Sequence, residues 1–259
     1  MTMISQRTKS LVWIVSAILA PRASFGQSAS ERVALGNQEH AAFRPVQALA
    51  HYEAALAVDS TNAEALGKAS QTAVDVGEQE KDATRRKELF RRGEAYARRA
   101  VAADPRSAEY QFDLARALGR TALSVGVRER VRYATEIRAV ALEALRLDPN
   151  HPGALHVMGV WNAEVMRLNG VERFFAKNLL GGRVFSQASW KDALSYMEKA
   201  VAVDPVRLTH KLDLAKIYLD VDSTAKAREQ LEAVVQGTQT DYNDPLYKAE
   251  ADALLRKLK

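Results

Sequence analysis

Cysteine is absent from the 259 residues. Disulfides, thiol catalysis, thiolate metal sites and lipid attachment at an N-terminal cysteine are therefore excluded for this sequence. Aromatic residues are few, 7% beside 47% hydrophobic and 27% charged residues, the balance of an ordinary soluble chain long enough for a substantial core. Enzyme signatures are also missing. There is no glycine-rich phosphate loop, no Gly-x-Ser-x-Gly elbow and no His-Glu-x-x-His pair, so the chain reads as non-catalytic, with no cofactor, no metal and no small-molecule substrate.

No apolar run reaches bilayer length. Residues 11–20 (LVWIVSAILA) are the longest candidate, about half of what a spanning helix needs. With Arg7 and Lys9 before this run and Ser24-Phe25-Gly26 after it, residues 1–26 read as a secretory signal peptide. The expectation is a mature domain over 27–259 that is secreted or periplasmic. A mitochondrial presequence is the alternative, because Glu31 is the first acidic residue.

Charge is unevenly placed. Residues 27–80 carry 3 cations against 8 anions, residues 81–138 carry 15 against 8, and residues 139–259 carry 16 against 16. An acidic entry thus precedes a basic centre.

What the chain does have is a string that occurs four times: Ala55-Leu56-Ala57-Val58-Asp59-Ser60, Ala100 to Pro105, Ala144 to Pro149 and Ala200 to Pro205. Each copy ends an amphipathic helix, and in three of them proline drives the preceding aspartate out of the helical region. Small or medium residues fall 12, 8 and 5 places before each stop: Ala48, Tyr52 and Ala55; Gly93, Ala97 and Ala100; Ile137, Ala141 and Ala144; Ala193, Met197 and Ala200. Offsets of 4 and 3 put them on one stripe, where small side chains admit a partner helix closely. A second stripe lies 9, 10 and 13 places after each stop, as in Ala69, Ser70 and Ala73 or Leu114, Ala115 and Leu118. Two helices per unit with small residues at the crossing form the tetratricopeptide pattern, so the fold expected is an all-α superhelix.

The stops are 45, 44 and 56 residues apart, against about 34 for the standard unit. Longer helices over the proline-free runs 82–103 and 127–147 account for the first two intervals. In the third, residues 171–180 are amphipathic and Gly181-Gly182 would end them, which predicts an inserted short helix. Thr61-Asn62-Ala63-Glu64 and Ser189-Trp190-Lys191-Asp192 read as helix starts of the capping-box type, and Asp244-Pro245 as an N-cap opening a final helix over 244–258.

Opening helices face the concave side of such a solenoid, so their outward polar residues are the candidate partner-binding positions: Gln71, Arg116, Arg120, His156 and Lys216. Cations there suit a carboxylate of a protein or peptide partner. A basic stretch with Arg85, Arg86, Arg91 and Arg92 reads as a solvated face or as a docking surface for an anionic partner or lipid headgroups. No recognition motif points to nucleic acid. Asp220-Val221-Asp222 reads as a turn with a cap rather than a calcium loop. His151 and His156, five apart, do not share a helical face for a metal.

The segment His151-Pro152-Gly153-Ala154-Leu155-His156-Val157-Met158-Gly159-Val160-Trp161, followed by Val171-Glu172-Arg173 and the Leu179-Leu180-Gly181 turn, resembles the regulator of microtubule dynamics family. Asp192-Ala193-Leu194, Lys199-Ala200 and residues 211–218 continue the similarity, which covers roughly residues 85–258. The resemblance implies a tetratricopeptide-like fold and a non-enzymatic binding role. For eukaryotic members it implies microtubule association and location at mitochondria or other membranes. Three readings follow: a scaffold that binds a protein or peptide in the cell envelope, a structural accessory at a membrane surface or envelope assembly, and a microtubule-associated protein.

Overall fold

The computed structural model describes residues 27–169 and 183–258. The expected leader over 1–26 and the expected inserted helix over 171–180 lie outside the described residues. Eleven α-helices are present among these residues, and no strand. They form five hairpins and a closing helix: α1 (Ala29–Ala41) with α2 (Pro45–Val58), α3 (Ala63–Gln79) with α4 (Ala83–Ala103), α5 (Ala108–Ala122) with α6 (Val127–Leu147), α7 (Pro152–Arg167) with α8 (Trp190–Val203), α9 (Leu208–Asp220) with α10 (Thr224–Gln236), and α11 (Asp244–Lys257). Each opening helix also packs on the next opening helix, which makes the array an all-α tetratricopeptide-like superhelix. No described helix is long and apolar enough to cross a membrane.

Both stripes are buried. Ala100, Ala144 and Ala200 are fully inaccessible, as are Ala48, Ala97, Ala141 and Ala193. On the facing helices Ala69, Ala73, Leu118, Met158 and Ala215 are likewise enclosed. Gly159 shows why the stripe must be small: a Cβ there would lie 3.1 Å from the Met197 Cβ and 3.2 Å from the Ala193 carbonyl oxygen. The long spacing has the expected cause, since α4 and α6 are 21 residues each.

The stop aspartates all end their helices in the same backbone geometry. Asp59, Asp104, Asp148 and Asp204 are C-caps with φ between −141° and −129°. In three of them the carboxylate Oδ1 accepts from the backbone N–H two residues on, at 3.0 Å from Thr61, 3.0 Å from Arg106 and 2.9 Å from Asn150. These Asx turns hold the short connection to the next helix.

Some local starts differ from the sequence reading. Asn62 caps α3 by accepting from Ala65 N, while Thr61 donates its hydroxyl to Asp59. Asp244 is the first residue of α11 rather than its cap, because its Oδ2 is taken by the N–H groups of Thr240 and Asp241. Ser189 caps α8 as expected, through Asp192 N. A reciprocal capping box that the reading did not single out opens α1, between Ser28 and Glu31.

The array curls until its end touches its second unit. Tyr247 of α11 donates to Glu78 Oε2 at 2.7 Å, Asn243 Nδ2 donates to the Asp75 carbonyl at 3.3 Å, and Gln79 Nε2 donates to Asn243 Oδ1 at 2.9 Å. Asn243 is fully buried at this junction.

Candidate functional site

The inner face is a ladder of polar contacts that joins each opening helix to the next. From α1 to α3, Asn37 donates to Glu64 at 3.5 Å and His40 lies 3.8 Å from Asp75. From α3 to α5, Gln71 donates to Glu109 at 2.7 Å and to Asp113 at 3.3 Å, and Arg116 reaches Asp75 at 2.6 Å and Glu78 at 3.0 Å. Arg120 adds a second contact to Glu78 at 2.9 Å. From α5 to α7, His151 accepts from Ala154 N through Nδ1, so its Nε2 carries the proton and donates to Glu109 at 3.1 Å. From α7 to α9, His156 sits 2.9 Å from Asp213 and Arg167 donates to Asp220 at 3.0 Å. Lys216 then links α9 to Glu250 of α11 at 2.8 Å.

All five sequence-predicted positions, Gln71, Arg116, Arg120, His156 and Lys216, belong to this ladder, and each meets a carboxylate of the chain itself. They lie on α3, α5, α7 and α9, and their partners are intramolecular. Sequence reading looked for cations and missed the acids opposite them: Asp75, Glu78, Glu109, Asp113 and Asp213. A signal for these existed. Gln71 and Asp113 are 42 residues apart, as are Glu109 and His151, and Asp75 and Arg116 are 41 apart, which is the repeat length less about one helical turn. Residues at that separation lie across adjacent opening helices.

Burial decides how these groups are charged. Burial alone would raise the Asp75 carboxyl, but the Arg116 guanidinium and a hydrogen bond from His40 draw it down to about 2. Burial opposes the Arg116 charge too, and Asp75 and Glu78 outweigh it, holding that guanidinium firmly protonated. The Glu109 carboxyl is held low by the hydrogen bond from His151, which outweighs its partial desolvation. Asp113 behaves in the opposite way. Burial and the neighbouring Glu109 charge push its carboxyl well above the ordinary 3.8. Its Oδ1 has no hydrogen-bond partner among the described residues, and the residue is 2% exposed.

Asp113 lines a cleft of about 220 Å³ between α3 and α5, with Glu64, Gly67, Lys68, Gln71, Ser107, Glu109 and Tyr110. Gly67 lets the Tyr110 ring close onto α3, since a Cβ there would fall 2.7 Å from the ring. This is the part of the ladder where carboxylates outnumber cations.

The basic stretch is divided. Arg92 pairs with Glu53, and Arg86 donates to the Glu80 carbonyl at 3.1 Å. Arg85 and Arg91 are exposed and form no ion pair among the described residues. Asp220-Val221-Asp222 is the expected turn: α9 ends at Asp220, and Asp222 takes the left-handed region at φ 58°.

Comparison with known proteins places this architecture. A sequence profile of the family described as regulator of microtubule dynamics protein 1-3 matches residues 31–259. Regulator of microtubule dynamics protein 1 of Bos taurus is 26% identical over 162 residues, 62% of this chain and 50% of that protein, so the chain spans about half the length of this curated relative. Among solved structures, the thermophilic tetratricopeptide protein TTC0263 of Thermus thermophilus aligns over 87% of this chain and 100% of its own, with a TM-score of 0.63 and 21% identity. PilF of Pseudomonas aeruginosa aligns over 89% and 91%, with a TM-score of 0.51 and 16% identity. Those two likenesses concern the fold. The profile covers nearly the whole helical array: the chain belongs to the regulator of microtubule dynamics protein 1-3 family.

Proposed function

We propose that this chain is a non-enzymatic scaffold whose inner face, built from the opening helices, binds a protein or peptide partner. The observation that carries the reading is the ladder itself, which ties each opening helix to the next and so fixes the curvature before any partner arrives. A preorganised surface reduces the ordering cost of association, which is what a recognition platform needs. Of the candidate positions, Gln71 at the α3/α5 cleft and His156 and Lys216 further along contribute to such a surface. Arg116 and Arg120 hold its shape.

The leader-like residues 1–26 support a place in the cell envelope, outside the cytoplasm. Detection by mass spectrometry of a mature chain beginning near Gln27 is the expected result. An intact Met1 would favour the microtubule role for which the bovine relative is named. Exposed Arg85 and Arg91 support a second reading, attachment to an anionic surface. Binding of that kind should weaken steeply with salt, whereas groove recognition should not.

Site-specific photo-crosslinking in the native host tests the main reading. A crosslinking residue at Gln71 or His156 should trap a protein partner, and one at the outward positions Arg91 or Glu232 should not. Crosslinks confined to the outward positions would overturn it.

A further inference from the structure

We propose that the cleft between α3 and α5 receives the ammonium or guanidinium group of a lysine or arginine side chain from the bound partner, with Asp113 as its counter-charge. The inference rests on the scaffold reading and adds the chemistry of the ligand. It reverses the sign expected from sequence, where the cations of this face were matched to an acidic partner.

Three independent observations support it. Asp113 is almost wholly buried and lines the cleft, yet among the described residues one carboxylate oxygen has no partner and the other has only the Gln71 amide at 3.3 Å. Arg116, the guanidinium one turn along α5, is already committed to Asp75 and Glu78. Glu64 and Glu109 stand at the same cleft and Lys68 is the one cation among the described residues that line it, so three carboxylates face one cation and a second positive group reduces the excess of negative charge. Size sets the class of ligand. At about 220 Å³ the cleft is below the roughly 300 Å³ at which small-molecule sites begin, and it suits one long side chain. The Tyr110 ring, closed down over Gly67, provides a wall for the aliphatic stem and an aromatic face for the charge. Among the described residues no cluster of histidine and acidic side chains is grouped to hold a metal ion, which favours an organic cation over a divalent one.

The test is an NMR titration of the ¹⁵N-labelled mature chain with capped alanine-glycine peptides carrying one central lysine, arginine, Nε-acetyllysine or glutamate. Lysine and arginine peptides should shift the amides of Gly67, Gln71 and Asp113 and bind about tenfold more tightly than the acetyllysine and glutamate peptides, the difference a charge-assisted hydrogen bond makes. Asp113→Asn should abolish that preference with the helical circular dichroism retained. As a second variant, Glu109→Gln at the more exposed rim should weaken the preference. Equal binding of lysine and acetyllysine peptides overturns the cation site and leaves the scaffold reading standing. Absence of any shift at millimolar peptide, or a preference that survives in the folded variant, also overturns it. Failure of the inner-face crosslinks would remove the scaffold reading as well.

Discussion

The phenol of Tyr247 in α11 donates a 2.7 Å hydrogen bond to the carboxylate of Glu78 in α3, a residue 169 positions earlier in the chain. The Glu78 side chain is only 8% exposed and also receives Arg116 and Arg120. One carboxylate therefore joins the second unit, the third unit and the closing helix. In a solenoid whose units touch only their neighbours, stability is a sum of unit and neighbour terms; a contact from the last helix to the second unit adds a direct tie between those two regions.

Tyr247→Phe removes that bond and keeps the ring. Because Glu78 retains two arginines, the loss should be about 1 kcal/mol rather than the larger cost of an orphaned buried charge. Its signature is regional. Hydrogen exchange should quicken in α11 and at the end of α3, with α5 to α7 unchanged. Equal acceleration throughout would show that the junction does not act locally.

Arg116→Ala should be far more damaging. It strips the guanidinium from two nearly buried carboxylates, Asp75 and Glu78, and breaking a buried pair in this way costs about 3–5 kcal/mol. The pH dependence gives a second readout. In the parent, Asp75 is held down to about 2 from the ordinary 3.8, so its stabilisation is complete above pH 3.8 and is lost as pH falls toward 2. The variant should lose that acid limb in urea titrations, and should become relatively more stable as the carboxyls protonate. A mild, pH-independent effect would return Arg116 to the class of free binding residues.

Gly159→Leu tests the stripe. Met197 and the Ala193 carbonyl leave no room for a side chain, and α7 would have to move away from α8. Overpacking of this kind costs about 3 kcal/mol, so the thermal midpoint should fall markedly. An unchanged midpoint would mean that α7 and α8 are not in register as described.

The stripes, stops and long helices were legible because each depends on local spacing along one chain segment. Ala100 and Ala144 had to be buried once the helices paired, and α4 and α6 ran the full length of their proline-free stretches. By contrast α1 gave little pattern: Val33 and Gly36 are its only buried residues, and Gly36 matters through the Tyr52 ring that lies over it. The candidate positions could be placed on opening helices from sequence, but the acids that face them could not. A cation on an opening helix is visible in sequence, whereas its neutralisation by an acid on the adjacent opening helix depends on how successive units stack. Nothing local marks Tyr247 as the partner of Glu78, since that pairing follows from the accumulated curvature of five hairpins.

His210 supplies a pH-dependent test at the other end of the array. It is buried edge-on to His156, with ring centroids 4.8 Å apart. Burial first, then the charges of His156 and Arg207, lower its imidazole to about 2. A lowered value means that the unfolded chain takes up the proton first, so stability is full above about pH 6.5 and declines as pH falls below it. Between pH 6 and 4 the parent should lose roughly 2–3 kcal/mol more than His210→Asn, at about 1.4 kcal/mol per pH unit for one proton. Parallel pH curves for the two proteins would contradict the assignment.

Asp113→Asn should stabilise the chain at neutral pH, and the reason is the same feature that makes the cleft a candidate site. Burial and the Glu109 charge raise the Asp113 carboxyl well above 3.8. For a raised acid the sign runs the other way from Asp75: its contribution is intact below pH 3.8 and is lost as pH rises through the folded-state value. At pH 7 the folded protein therefore carries an unfavourable group that asparagine, which does not ionise, replaces. The gain should be about 1–2 kcal/mol, the scale of a buried polar group left unpaired, and should shrink toward zero near pH 3. Urea denaturation at both pH values measures it. A variant less stable than the parent at pH 7 would show that Asp113 is already neutralised within the chain, which would remove the need for a cation from outside.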